Sequence, residues 1–117
     1  MKMLEWFEDV KKNPDFDKVG MILCHNGVVR GYSQTGERIR RMHLEVRRDL
    51  LNDLVSEMGK RPGIVEVRAW LNEGVLNVGD DIMYVLVAGD IRENVFSTLK
   101  EMVSRAKKEI IIEKELT

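Results

Sequence analysis

The stretch Lys107-Lys108-Glu109-Ile110-Ile111-Ile112-Glu113-Lys114-Glu115 is where the hydrophobic period of the chain changes. Before it, Val95, Phe96, Leu99, Met102, Val103 and Ala106 recur at spacings of one, three and four, the stripe of an amphipathic helix. Within it, three consecutive isoleucines predict a short closing strand, Ile110 to Ile112. The junction also sets Lys107 and Lys114 seven positions apart. Helix ends and strand starts are frequent places for chemistry, and lysine serves as nucleophile or anion clamp. Lysines in a last helical turn equally complement the helix dipole.

Working back from this junction, Ile82 to Ala88 is the most apolar run and predicts a central strand. Two turn-forming clusters precede it, Asn72-Glu73-Gly74 and Asn77-Val78-Gly79-Asp80-Asp81, around a short Val75-Leu76 segment. Ile64 to Leu71 is β-rich and alternates. Leu50, Leu51, Leu54, Val55 and Met58 mark a helix over 47–60, ended in the Gly59–Gly63 region by Pro62. Ile39, Met42, Leu44 and Val46 predict a strand that begins irregularly and settles to period two. Val19 to Cys24 predicts a buried strand, followed by Asn26-Gly27, Val28-Val29-Arg30-Gly31 and a polar loop through Ser33-Gln34-Thr35-Gly36. Residues 3–12 predict a short helix stopped by Asn13-Pro14. The order α-β-β-α-β-β-α-β is α+β: a mixed or antiparallel sheet with two longer helices and a short N-terminal one. With no linker or repeat, residues 1–117 read as one domain.

The totals narrow the function classes. A chain of 117 residues, 44% hydrophobic and 33% charged, supports one core of an ordinary globular protein. No apolar run approaches the roughly 20 residues that cross a bilayer. Acidic residues interrupt the N-terminal apolar region, so a cytoplasmic protein is expected. Net charge of −1 argues against a dedicated nucleic-acid binder. One cysteine, Cys24, excludes an intramolecular disulfide and a thiolate metal cage. Nothing suggests a metal or cofactor.

In sequence order, the landmarks are Gly27-Val28-Val29-Arg30 with Gly36 downstream, Leu44-Glu45 before a helix, and Gly74-Val75-Leu76-Asn77-Val78-Gly79-Asp80. Then come the apolar strand leading to Arg92 and Phe96, and finally Lys107, Lys114 and Glu115. Over roughly residues 4–115 this chain resembles the large, catalytic subunit of molybdopterin synthase. Its departures are Ile91-Arg92 where that family carries His-Arg, Leu71-Asn72-Glu73 in place of an earlier His-Arg, and Ile112-Glu113 where aromatic residues are usual.

The resemblance implies an α/β-hammerhead-like fold and a homodimer. It implies sulfur transfer from a small ubiquitin-like carrier protein, bearing a C-terminal thiocarboxylate, to a cyclic pyranopterin monophosphate. Such a site uses a channel for a flexible tail and cations for carboxylate and phosphate; the partner brings the sulfur. Arg30 and Arg92 suit the anions because guanidinium presents a fork of donors. Crowding by other cations disfavours a lysine's charged form and frees a nucleophilic amine, so Lys107 is the first catalytic candidate, with Lys114 holding the anionic part of the substrate. Gly27, Gly74 and Gly79 are the structural turn positions. An extended strand from Glu109 to Lys114 covers about 17 Å, so the two lysines share a pocket only if the chain doubles back.

Each cation also has a plain alternative: Arg30 as a loop residue, Arg92 in a first helical turn, Lys114 guarding an edge strand. His25 is a possible acid or base; His43 sits among Arg40, Arg41, Arg47 and Arg48 on a solvated face. Two other functions stay open. One is a non-catalytic relative that binds a carrier tail or small anion. The other is a ferredoxin-like ligand-binding or assembly module, since β-α-β-β-α-β follows residue 38.

Overall fold

In a computed structural model describing residues 2–116, the elements run α1 (Lys2–Val10), a 3₁₀ turn (Phe16–Lys18), β1 (Met21–Val28), β2 (Arg41–Val46) and α2 (Arg48–Gly59). They continue as β3 (Ile64–Leu71), β4 (Gly74–Asn77), β5 (Asp81–Gly89), α3 (Arg92–Arg105), a π-helical turn (Ala106–Ile110) and β6 (Ile111–Leu116). The fold is α+β, and the pairing is antiparallel throughout. The strands form two three-stranded sheets, ordered β1-β5-β3 and β4-β2-β6. That order overturns the ferredoxin-like alternative, which needs β2, β3, β5 and β6 in one sheet. The short strand β4 gives β2 a second partner, from Arg41 opposite Asn77 to Leu44 opposite Gly74.

β5 is the central strand of its sheet, paired with β1 and β3, and it is covered on both faces. Met83, Val85 and Val87 join Val67 and Leu71 of β3 beneath Leu51, Leu54, Met58, Val95 and Met102 of the two longer helices. The alternate residues, Leu86 and Ala88, meet Val10 of α1, with Trp6, Phe16 and Ile22 packed around them. Double coverage explains why the run reads as continuously apolar rather than alternating. Leu86 has no exposed surface, and a leucine so buried contributes roughly 1.5–3 kcal/mol. Met42, Leu44 and Leu76 of the second sheet belong to the same core cluster, which joins the two sheets. Among the described residues no helix is long and apolar enough to cross a membrane.

Three boundaries differ from expectation. β1 does not stop at Cys24 but continues through Asn26-Gly27 to Val28, so Gly27 lies in a strand and not at a turn; the pairing with β5 shifts between Gly27 and Val28. β4 forms where only a short segment between turns was expected. Gly74 and Gly79 bracket it with φ of +91° and +92°, the left-handed region that favours glycine. The last strand starts at Ile111 and extends through Glu113-Lys114-Glu115, because β2 pairs with it along that whole length.

Candidate functional site

The bulge that ends β1 is held from two sides. The Val29 amide donates to the Asp80 carbonyl at 2.9 Å, and the Gly79 amide donates to the Val29 carbonyl at 2.8 Å. Asn26 Nδ2 donates to Asp81 Oδ1 at 3.1 Å and to the Met83 carbonyl at 3.3 Å. The Tyr84 hydroxyl donates to the other Asp81 oxygen, and this bond, reinforced by burial and the carboxylate charge, raises the phenol's pKa. Beyond the bulge the chain folds back on itself, with the Ile39 amide donating to the Gly31 carbonyl at 2.8 Å and Ser33 to Glu37 at the same distance. Arg38 lies over the Tyr32 ring, 5.4 Å from its centroid. Arg30 and the polar segment Ser33–Thr35 are thereby presented on one side of a cavity of about 640 Å³.

The other side comes from the end of the chain. After α3 the helix widens into the π turn Ala106–Ile110, a departure that removes Lys107 from the regular helical phase. The turn is fastened by Arg105, whose guanidinium donates to Glu109 at 2.7 Å and to Glu57 of α2, and by Arg47, which donates to the Glu109 carbonyl at 3.0 Å. Arg105 in turn holds the Glu109 carboxyl below the usual range. Lys107 reaches the cavity, as do Glu113 and Glu115 from β6. Met42, Ile82 and Met83 supply apolar wall.

His25 lines this cavity and also borders α3, beside Phe96, Leu99 and Val103. Gly27 lies directly beside His25: a Cβ there would stand 3.4 Å from the imidazole Nε2 and from Met83 Cγ. Burial, and secondarily the charge of Lys107, lower the pKa of His25. An apolar depression of about 540 Å³, lined by Phe96, Leu99 and Val103 of α3, adjoins the cavity through the same histidine.

The candidates named from sequence therefore separate. Lys107, Arg30 and Gly27 meet at the cavity. Gly74 and Gly79 sit at the β4 turns that back it. Lys114 pairs with His43 on the opposite face of β6, because side chains alternate along a strand and Glu113 and Glu115 take the cavity side. Arg92 opens α3 beyond the far end of β5, about 20 Å of strand away from Ile82 and Met83. The cations expected at one mouth are thus two, Arg30 and Lys107, faced by two carboxylates. Among the described residues none of these four charges takes part in an ion pair. Glu113 and Glu115 were not among the sequence candidates. The signal that marks them is the alternation of β6, which gives Glu113 and Glu115 one face and Ile112 and Lys114 the other.

The family described as MoaE protein matches residues 3–109. An uncharacterized protein of Methanocaldococcus jannaschii is 26% identical over 95 residues, covering 78% of this chain and 80% of that protein. The molybdopterin biosynthesis MoaE protein from Burkholderia ambifaria superposes with a TM-score of 0.77 at 24% identity, over 98% of this chain and 76% of that one. A chain in the complex of subunits 1 and 2 of molybdopterin-converting factor from Helicobacter pylori gives a TM-score of 0.72 at 14% identity, over 99% and 79%. At such identities the likeness of these structures is one of fold. The family match, by contrast, takes in β1, the loop after it and Lys107 of the π turn, stopping short of β6, and as a divergent member this chain belongs to the MoaE protein family.

Proposed function

We propose that this protein is the catalytic subunit of a molybdopterin synthase. In this reading it moves sulfur from the thiocarboxylate tail of a small carrier protein to a cyclic pyranopterin monophosphate, in molybdenum cofactor biosynthesis. The observation that carries the reading is that Arg30 and Lys107, distant in the chain, line one open cavity at the end of β1. The Arg30 fork suits the paired oxygens of phosphate or carboxylate, and the Lys107 amine is assigned to the acyl group of the entering tail. The apolar depression along Phe96, Leu99 and Val103 adjoins the cavity and offers a seat for the body of the carrier. Arg92 and Lys114 lie outside the cavity. The reading also includes a homodimer and a cytoplasmic setting.

Support comes from the family match and from the names of the fold relatives, which are proteins of molybdopterin biosynthesis and conversion. Lys107→Ala, supplied with thiocarboxylated carrier and pterin, is expected to lose sulfuration while its far-ultraviolet spectrum is unchanged. Turnover at the rate of the unaltered protein would sink the assignment. Ile91-Arg92 and Leu71-Asn72-Glu73, standing where the resembling family carries His-Arg, favour a second reading, a relative that holds the carrier tail without turning it over. Carrier binding by the unaltered protein with no sulfuration would identify that case.

A further inference from the structure

Arg30, Lys107, Glu113 and Glu115 put two positive and two negative charges around one cavity, and among the described residues none is spent on an ion pair. A site for a simple anion has no use for the carboxylates, which weaken its field. Ligands that satisfy both signs carry an anionic group at one end and adjacent N–H donors at the other. Glu113 and Glu115 suit the second role by their placement. They are i and i+2 on one face of β6, roughly 7 Å apart, opposite Leu44 and Met42 of β2. Carboxylates accept paired N–H bonds in a plane, and such charge-assisted bonds are the stronger kind. Met42, Ile82 and Met83 supply apolar surface for a flat ring.

We infer that the Glu113 and Glu115 carboxylates recognise the aminopyrimidinone edge of a pterin, leaving Arg30 and Lys107 to the anionic groups. The inference rests on the proposed sulfur-transfer reading and adds to it the orientation of the substrate, ring toward β6 and phosphate toward the loop after β1. It also names residues that discriminate between related heterocycles. A 2-amino-4-oxopteridine offers two neighbouring N–H donors. Its 2,4-dioxo analogue replaces the amino group with a carbonyl oxygen, which a carboxylate repels.

The test is binding of these two phosphate-free pteridines, followed by their fluorescence, with no carrier protein present. The unaltered protein is expected to prefer the amino compound by about tenfold or more, as for a charge-assisted bond made against one denied. The double variant Glu113→Gln/Glu115→Gln should hold the two compounds within about twofold of each other while still binding inorganic phosphate. Both positions are exposed, so the fold is not at risk. Glu45→Gln, on the opposite face of the same sheet, should keep the preference. Equal binding of the two pteridines by the unaltered protein, or a preference that survives in the double variant, overturns the inference. Because the carrier is absent, that failure is separable from the Lys107→Ala result, which tests the transfer reaction itself.

Discussion

Thr98 brings a hydroxyl into the core beneath α3 with 1% of its surface exposed and no hydrogen-bond partner for Oγ1 among the described residues. An unpaired buried hydroxyl costs free energy, and valine has nearly the same shape. Thr98→Val is therefore expected to raise unfolding stability by about 1 kcal/mol, read from urea denaturation; a loss of similar size would reveal a hidden partner. His25 poses a different residue-level question, because two causes lower its pKa and burial is the larger. Removing the nearby charge in Lys107→Ala should raise the imidazole pKa only part of the way toward its ordinary value, as followed by NMR titration. The effect on stability has a definite sign. The unfolded chain takes up this proton more readily than the folded one. The stabilisation linked to His25 is thus complete above about pH 6.5 and is lost as pH falls through the lower folded value. A His25→Leu protein should lose less stability than the unaltered one between pH 7.5 and pH 5.

At the scale of elements, the joint between α3 and β6 matters most. Arg105 ties it to α2 through Glu57 and closes it locally through Glu109. Exposed ion pairs of this kind are individually weak and screened by salt. Arg105→Ala is expected to lower the thermal midpoint modestly, with the difference narrowing as salt is raised; a difference insensitive to salt would place the effect in packing. Elements with a long period are legible in the sequence: α2 and α3 follow their leucine, methionine and valine stripes, and β5 follows its unbroken apolar run. β4 was not legible, because four residues between two positive-φ glycines offer turn chemistry and almost no alternation. β1 outruns its sequence signal because Asn26-Gly27 has the composition of a hairpin turn, whereas here the Asn26 side chain bonds across to β5. Lys114 faces away from the cavity by the parity of β6, which distance along the strand does not reveal.

For the whole molecule, the question is whether two sheets behave as one. The described residues span 48 × 26 × 24 Å, an elongated shape, yet Leu44 and Leu76 of one sheet share a cluster with Leu71 and Met83 of the other. A shared core predicts one cooperative transition. The reporters are separable, since Trp6 and Trp70 both meet Tyr84 on the first sheet's outer face, while far-ultraviolet dichroism reports all helices and strands. Tryptophan fluorescence and dichroism should give coincident denaturation curves, and an earlier dichroism change would mean that the β4-β2-β6 sheet melts alone. At this scale the site was half legible. The ordered landmarks bring Gly27, Arg30 and Lys107 to one cavity, but which charges face them depends on strand pairing, which no linear spacing records.

That dependence gives the π turn a consequence beyond the placement of one lysine. The five residues of Ala106–Ile110 set where β6 begins against β2. Losing a single codon there, wherever the helix does not absorb the loss by tightening to an α turn, would advance the strand by one step and exchange its two sides. Lys114 would swing inward, both glutamates would turn to solvent, and the wall would reverse its polarity without any side chain being replaced. Descendants of this gene thus have a short mutational path to a different ligand preference, through length and not through substitution.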